Sequence, residues 1–377
     1  LPPAWQASVD AMEQTRTEPV ALARRMEAQR RAVDTQPEGD ARAKALMAWN
    51  RDMNALAREG QRRLLARAIA SPRQLQSQLG WFWLNHFSVF QNKSNARVTL
   101  PDLDEQLQRA ALGRFRDLLG IATLHPAMLR YLDNEQNTAQ RLNENLGREL
   151  LELHTLGVDG GYTQADVQTA ARVLTGLGYA GSDTPPRLPP ELAGQYQRRG
   201  LAEFHPQRHD NRPKTLLGEP LTARGLDEVE QMLDRLAAHP STARHVSRRL
   251  ALHLMGQPPS EALLGRLAQA YLRHDGRIDE WLRVLFAQPE FEASLGQAFK
   301  DPTQWLVSAL RQGVQGEDPA LPDLGQAAGW LERLGQQPYG RLTPDGYPLD
   351  AAAWRAPGQL TARFDLARTV VGAWPTL

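Results

Sequence analysis

Five residues able to do chemistry crowd into NENLGRELLELHTLG, residues 143–157: Glu144, Arg148, Glu149, Glu152 and His154. Carboxylates three residues apart on a helix share a face, where they can act as an acid/base pair or offer oxygens to a hard cation. At about 100° per residue, Glu144, Asn145, Arg148, Glu149, Glu152 and Thr155 fall on one arc. Leu146, Leu150, Leu151 and Leu153 take most of the other, with Asn143, Gly147 and His154. Glu144, Arg148 and Glu152 also make an i, i+4 ladder, worth roughly a few tenths of a kcal/mol per pair on an open surface. The carboxylates alone therefore suit a solvated face as well as a site. Asn143 and His154 are different, because polar groups on an apolar face need buried partners.

A second constellation is FHPQRHDNRPKTLLG, residues 204–218, with His205, His209, Asp210 and Lys214. Asp210 could orient His209 as a general base and Lys214 could stabilise an anion; the alternative is a polar surface loop. WFWLNHFSVF, residues 81–90, is apolar almost all round, so Asn85 and His86 must be bonded inside it, with His86 a neighbour of the 143–157 helix. YLDNEQN, residues 131–137, offers Asp133 and Asn134 as a helix cap or as oxygen ligands. Lys300 joins the supporting candidates because lysine is scarce: four residues against forty arginines. Where arginine is so freely used, a retained lysine can mark a need for its compact amine. No metal motif is complete, since a Glu-x-x-His ending at His154 would need Glu where Leu151 stands. A divalent metal stays open, its identity unknown. Hydrolase-elbow, phosphate-loop and dinucleotide-binding glycine motifs are absent.

These residues need a helical frame. Periodicity predicts helices at about 40–70, 101–120, 125–133, 143–156, 164–177, 226–238, 242–255, 260–273, 278–296, 302–312, 323–334 and 358–373. Ser71-Pro72 is expected to open one running to Phe90. Thr163 with Asp166, Ser241 and Asp301-Pro302 are start signals, and Gly157, Gly178, Gly256 and Gly335 stops. Two irregular stretches, 179–224 and 336–357, interrupt the pattern, the first long enough for a hairpin. The expectation is an all-α fold of many helices in one large domain spanning 1–377, divisible into lobes 1–178 and 225–377 joined by the 179–224 loop.

The 377 residues are 41% hydrophobic with a net charge of +1, which fits a globular chain and gives no electrostatic case for nucleic acid or an anionic membrane. Arg62-Arg63 and Arg248-Arg249 read as solvated faces of amphipathic helices. No apolar run reaches membrane-spanning length. The absence of cysteine excludes disulfides and thiolate chemistry.

WLNHFSVF, HPAMLRYLDNEQN and NENLGRELLELHTLGVDGGYTQADVQTAARVLTGLGY, continued by FHPQRHDNRPKTLLG, HPSTARHVSRRLALHLMG, KDPTQWLVSALR and PDGYPLDAAAWRAPGQLTARFDLA, closely resemble a bacterial family catalogued as domain of unknown function eighteen hundred. The resemblance covers the chain from about residue 60 onward, with Leu177 replacing the usual Trp. It implies a mostly helical protein exported to the periplasm or beyond, its signal lying upstream of Leu1 together with an Arg-rich region of the family. It also implies a sulfatase-like neighbour encoded nearby as a partner. It supplies no catalytic residues. Two readings follow: an extracytoplasmic hydrolase or transferase acting on an anionic glycan or peptide, or a helical scaffold or maturation partner of the sulfatase-like protein. In the first, Glu149 and Glu152 are acid/base or metal ligands, His209 with Asp210 the base and its orienter, and Lys214 the anion stabiliser.

Overall fold

A computed structural model describes residues 1–182, 184–313 and 323–373. It is 64% helical and 4% strand, so the all-α reading holds. The longest element, Asp40–Ala70, buries a stripe from Trp49 through Ile69. Against it pack Pro19–Asp34, Leu100–Ala110, Pro302–Gly313 and Leu324–Arg333. Buried apolar residues from Trp5 to Val370 form one continuous core. A smaller cluster around Leu22, Trp49 and Met53 sits under the N-terminal helices.

Several expected boundaries move, each for a local reason. Ser71-Pro72 does not start a helix: the Ser71 hydroxyl accepts from Arg73 N at 3.1 Å, and the next helix is Gln74–His86. It ends before Phe90 because Phe87 leaves helical geometry at φ −100°, ψ 51°. The 101–120 run divides into Leu100–Ala110 and Phe115–Leu124, where Arg114 bridges Arg277 in antiparallel fashion. The 278–296 run divides at Gln288, which is extended before Pro289, as residues preceding proline prefer. His239, not Ser241, caps Pro240–Met255 by accepting from Ser241 N. The full Thr163/Asp166 capping box is present.

The 164–177 run stops at Val173 and leads into a strand. The turn is made by Gly176, at φ +83° with the space a Cβ would need occupied by the His205 carbonyl, rather than by Gly178. The 179–224 stretch holds a hairpin of Gln197–Arg199 and Ala202–Phe204, and Leu177–Tyr179 pairs antiparallel with its second strand. A second hairpin, Thr215–Leu216 with Glu219–Pro220, turns through Leu217 and Gly218, both at positive φ. Together the hairpins hold the His205–Lys214 segment against Gln164–Val173 and Leu226–Ala237.

Candidate functional site

The two sequence constellations form separate structures. His209, Asp210 and Lys214 are buried in a closed polar network. Lys214, its side chain 0% exposed, donates to Glu228 Oε2 at 2.6 Å and to the Asp210 carbonyl. His209 lies between the Thr175 carbonyl, 2.8 Å from Nδ1, and Glu228 Oε2, 3.1 Å from Nε2. Asp210 does not orient it. The Asp210 carboxylate takes Arg172 Nε at 2.8 Å and Arg212 Nη2 at 2.6 Å instead, and these bonds, Arg212 foremost, hold it far below the usual carboxylate range. Thr175 completes the clamp, accepting from Asp210 N and donating to the Arg172 carbonyl. Each charged group already has its partner, so the network fixes a loop to two helices. Glu228 was missed in the sequence, although its place on the buried face of Leu226–Ala237, one turn before Met232, is a usable signal.

The 143–157 segment is not a plain helix. One α-helical turn, Asn145–Glu149, widens into a π-helix over Leu150–Thr155. Leu156 N bonds the Leu151 carbonyl at 2.9 Å, and Thr155 Oγ1 donates to the Leu150 carbonyl at 2.7 Å. The wider turn slows rotation about the axis, which is why Thr155, placed on the wet arc by uniform winding, is fully buried. It also frees carbonyls near its end, and two histidines take them. His245 Nε2 lies 3.1 Å from the Leu153 carbonyl and His86 Nε2 3.1 Å from that of His154. Both must carry the proton on Nε2, since a carbonyl only accepts.

His154 itself is buried at 1% exposure, 6.0 Å from the His86 ring and 5.2 Å from that of Phe87, but its Nε2 has no hydrogen-bond partner among the described residues, where one was expected. Asn143 faces no core: its side chain accepts from Asn145 N at 3.0 Å and donates to the Asp133 carbonyl. Asp133 pairs with Lys93, while Asn134 donates to the Leu174 and Leu177 carbonyls, so this run serves as structural punctuation. Lys300 is exposed, bonds Ser308 at 2.9 Å, and reaches neither constellation.

Glu149 and Glu152 are half-buried. Burial and the charges of Glu152 and Asp345 raise the Glu149 carboxyl above its ordinary value, against the pull of Arg148. Tyr162 OH points to Glu152 Oε2 at 3.5 Å, and Arg148 is tied to Glu144 at 2.9 Å. Tyr131, which feels both Glu149 and Asp345, donates its hydroxyl to the Leu342 carbonyl at 2.8 Å. Asp345 was not anticipated. Burial works to raise its carboxyl, but Arg341 at 2.8 Å and Thr343 at 2.5 Å outweigh that and keep it below the usual value.

The loop carrying Asp345 is fastened to Gln74–His86. Asn85 donates to the Tyr347 carbonyl at 2.9 Å and accepts from Tyr347 N at 2.6 Å. Between them Gly346, at φ +77°, comes so close that a Cβ would lie 2.1 Å from the Asn85 carbonyl oxygen.

Behind these carboxylates, His245, Arg249 and His253 follow at i, i+4 and i+8 along Pro240–Met255. Arg249 does not lie on a solvated face: its Nε is shut from water without an acceptor, and Arg63 likewise turns inward to the Pro101 carbonyl. Burial first, and Arg249 among the neighbouring charges, keep His86, His154, His245 and His253 neutral, with His154 down to about 3 and His245 and His253 to about 4. Among the described residues no three His, Asp or Glu side chains converge to hold a metal ion. No described helix is long and apolar enough to cross a membrane.

The family model that matches the chain is described as "Protein of unknown function (DUF1800)" and spans residues 4–375, taking in the N-terminal helices that the motif resemblance left out. No curated protein and no solved structure matches.

Proposed function

The chain belongs to the DUF1800 family, and from the surroundings of Glu149 we propose that it is an acid–base enzyme, a hydrolase or transferase acting outside the cytoplasm on an anionic glycan or peptide. One observation carries the reading. Two carboxyls within electrostatic reach are pushed in opposite directions, Glu149 up by burial and like charges and Asp345 down by Arg341 and Thr343. Such a split assigns separate roles. Asp345 stays ionised as a fixed negative charge. Glu149 exchanges a proton, giving it to a leaving oxygen or amine or taking it from an attacking hydroxyl. The π-helix at the same place supports this, since such turns recur at functional sites. His209, Asp210 and Lys214 drop out of the reaction and act as structure.

Purified protein assayed against ester, glycoside and peptide panels, with Glu149→Gln as the blank, tests the proposal. A product lost by about 100-fold or more in Glu149→Gln, at unchanged melting temperature, supports it. Equal product from both proteins overturns it. Export rests on the family resemblance and is tested by fractionating cells that express the native gene.

The closed network around Lys214 favours a second reading, the helical scaffold serving a sulfatase-like partner. That reading expects no turnover from either protein and co-purification of the partner with both.

A further inference from the structure

We propose that Arg249 anchors a singly charged oxyanion of the substrate. This rests on the Glu149 site and names the chemical group brought to it. The cations around the site differ in their commitments. Arg148 is held by Glu144 at 2.9 Å and Arg341 by Asp345 at 2.8 Å, while Arg130 is shared between Glu27 and Glu135. Arg249 has no such partner. No hydrogen bond or ion pair holds it among the described residues, its Nε faces no acceptor, and Asp345 acts on it only through charge. Its terminal nitrogens are not sealed in.

A guanidinium whose Nε is shut from water and unpaired is costly, and the missing acceptor is an oxygen pair of matching geometry. The aromatic and imidazole wall behind it cannot supply one. His86 and His245 have committed Nε2 to backbone carbonyls, and the Phe82, His86, His154 and His253 rings pack against one another at 5.2 to 6.0 Å. The π-helix carbonyls fix His86 and His245 as Nε2–H donors, so neither of these rings offers the guanidinium an oxygen. The charge of the ligand follows from the rest of the site. Asp345, which already acts on Arg249 through charge, would repel a dianion, whereas one negative charge balances one uncommitted guanidinium. A carboxylate, a sulfate monoester or a phosphodiester meets that description; a phosphate monoester does not.

The test uses the full chain labelled with ¹⁵N-arginine, with the Arg249 Nε–H resonance identified by its loss in Arg249→Lys. Acetate, methyl sulfate, dimethyl phosphate and inorganic sulfate, a dianion, are titrated in turn at neutral pH. Saturable movement of that resonance by one or more of the three monoanions, with inorganic sulfate binding about tenfold or more weakly, is the expected result, and which monoanion binds tightest separates the three sources. Isothermal titration should show the affinity falling about tenfold or more in Arg249→Gln. Should Arg249→Gln fail to fold, Asp345→Asn carries the decision, because removing the competing carboxylate must tighten anion binding. A resonance unmoved by all four anions, or affinity unchanged by Asp345→Asn, overturns the proposal. Glu149→Gln keeps the two readings apart: it should bind the anion at least as well as the wild type while losing turnover. Anion binding with no Glu149-dependent turnover sinks the acid–base reading alone; turnover without anion binding sinks this one alone.

Discussion

Replacing Lys214 with methionine removes a cation whose side chain is 0% exposed and whose Nζ lies 2.6 Å from Glu228 Oε2. At an effective dielectric of about 20 that separation corresponds to about 6 kcal/mol of attraction. Desolvating the two ions costs several kcal/mol each, so the intact pair contributes little net stability. The single substitution is another matter. Methionine fills much of the lysine volume, but it leaves Glu228 buried with His209 as its one remaining side-chain partner among the described residues and the Asp210 carbonyl without the lysine donor. A stranded buried charge costs about 3–5 kcal/mol. Glu228→Gln should cost a similar amount by stranding Lys214. In Lys214→Met/Glu228→Gln both charges are gone and the new side-chain amide can still reach His209, so the double variant should be about 2–3 kcal/mol more stable than the sum of the singles implies. Urea unfolding followed by tryptophan fluorescence, read as a double-mutant cycle, measures this. Strictly additive singles, or a Lys214→Met protein within about 0.5 kcal/mol of wild type, would refute the structural role and return Lys214 to the catalytic candidates.

Three further outcomes are expected. Glu149 has its folded pKa raised, so its contribution to stability is fully present below the unfolded value near 4.3 and is lost as pH rises through the folded value. Glu149→Gln should accordingly hold or raise the melting temperature at pH 7, and a clear fall in a thermal melt would contradict the assigned strain. The depressed histidines work the other way: His154, His245 and His253 charge on unfolding before they do in the native state, so stability present above about pH 6.5 should erode as pH falls toward about 4. Calorimetry across that range should show net proton uptake on unfolding, and a flat profile would place these rings in water. Gly346→Ala should cost about 3 kcal/mol or more, combining a left-handed backbone with a backbone clash, and should weaken Glu149-dependent activity as Asp345 shifts; a variant matching wild type in both would unseat the Asn85 fastening.

Much of the frame was legible because winding at 3.6 residues per turn leaves a regular apolar stripe. Asp40–Ala70 agrees with the expected 40–70 to the residue, and the Thr163 cap is where its side-chain chemistry puts it. The site was legible only in part. Glu149 and Glu152 stood out by crowding, yet uniform rotation put Thr155 on the wrong side, since nothing local announces a π-turn that depends on His86 and His245 from elsewhere. Arg249 was hidden by its neighbour, because paired arginines look like a wet face until Thr242, Val246 and His253 are seen to share its side of the helix. Asp345 lies in a stretch with no period at all. His209 and Asp210 misled through adjacency: successive residues on an extended backbone point apart, so each found its partner in a different helix.

The bond from Asn85 to Tyr347 spans 262 positions of sequence. Loops closed over such separations form late, after local helices have condensed, and a chain emerging from its amino end folds what it has first. Everything upstream of the 341–347 loop can therefore take shape while Glu149 still lacks the neighbouring charge of Asp345. Docking of the loop reports that synthesis has passed Tyr347. A copy cut short before this loop would be a folded body without the Asp345 charge beside Glu149.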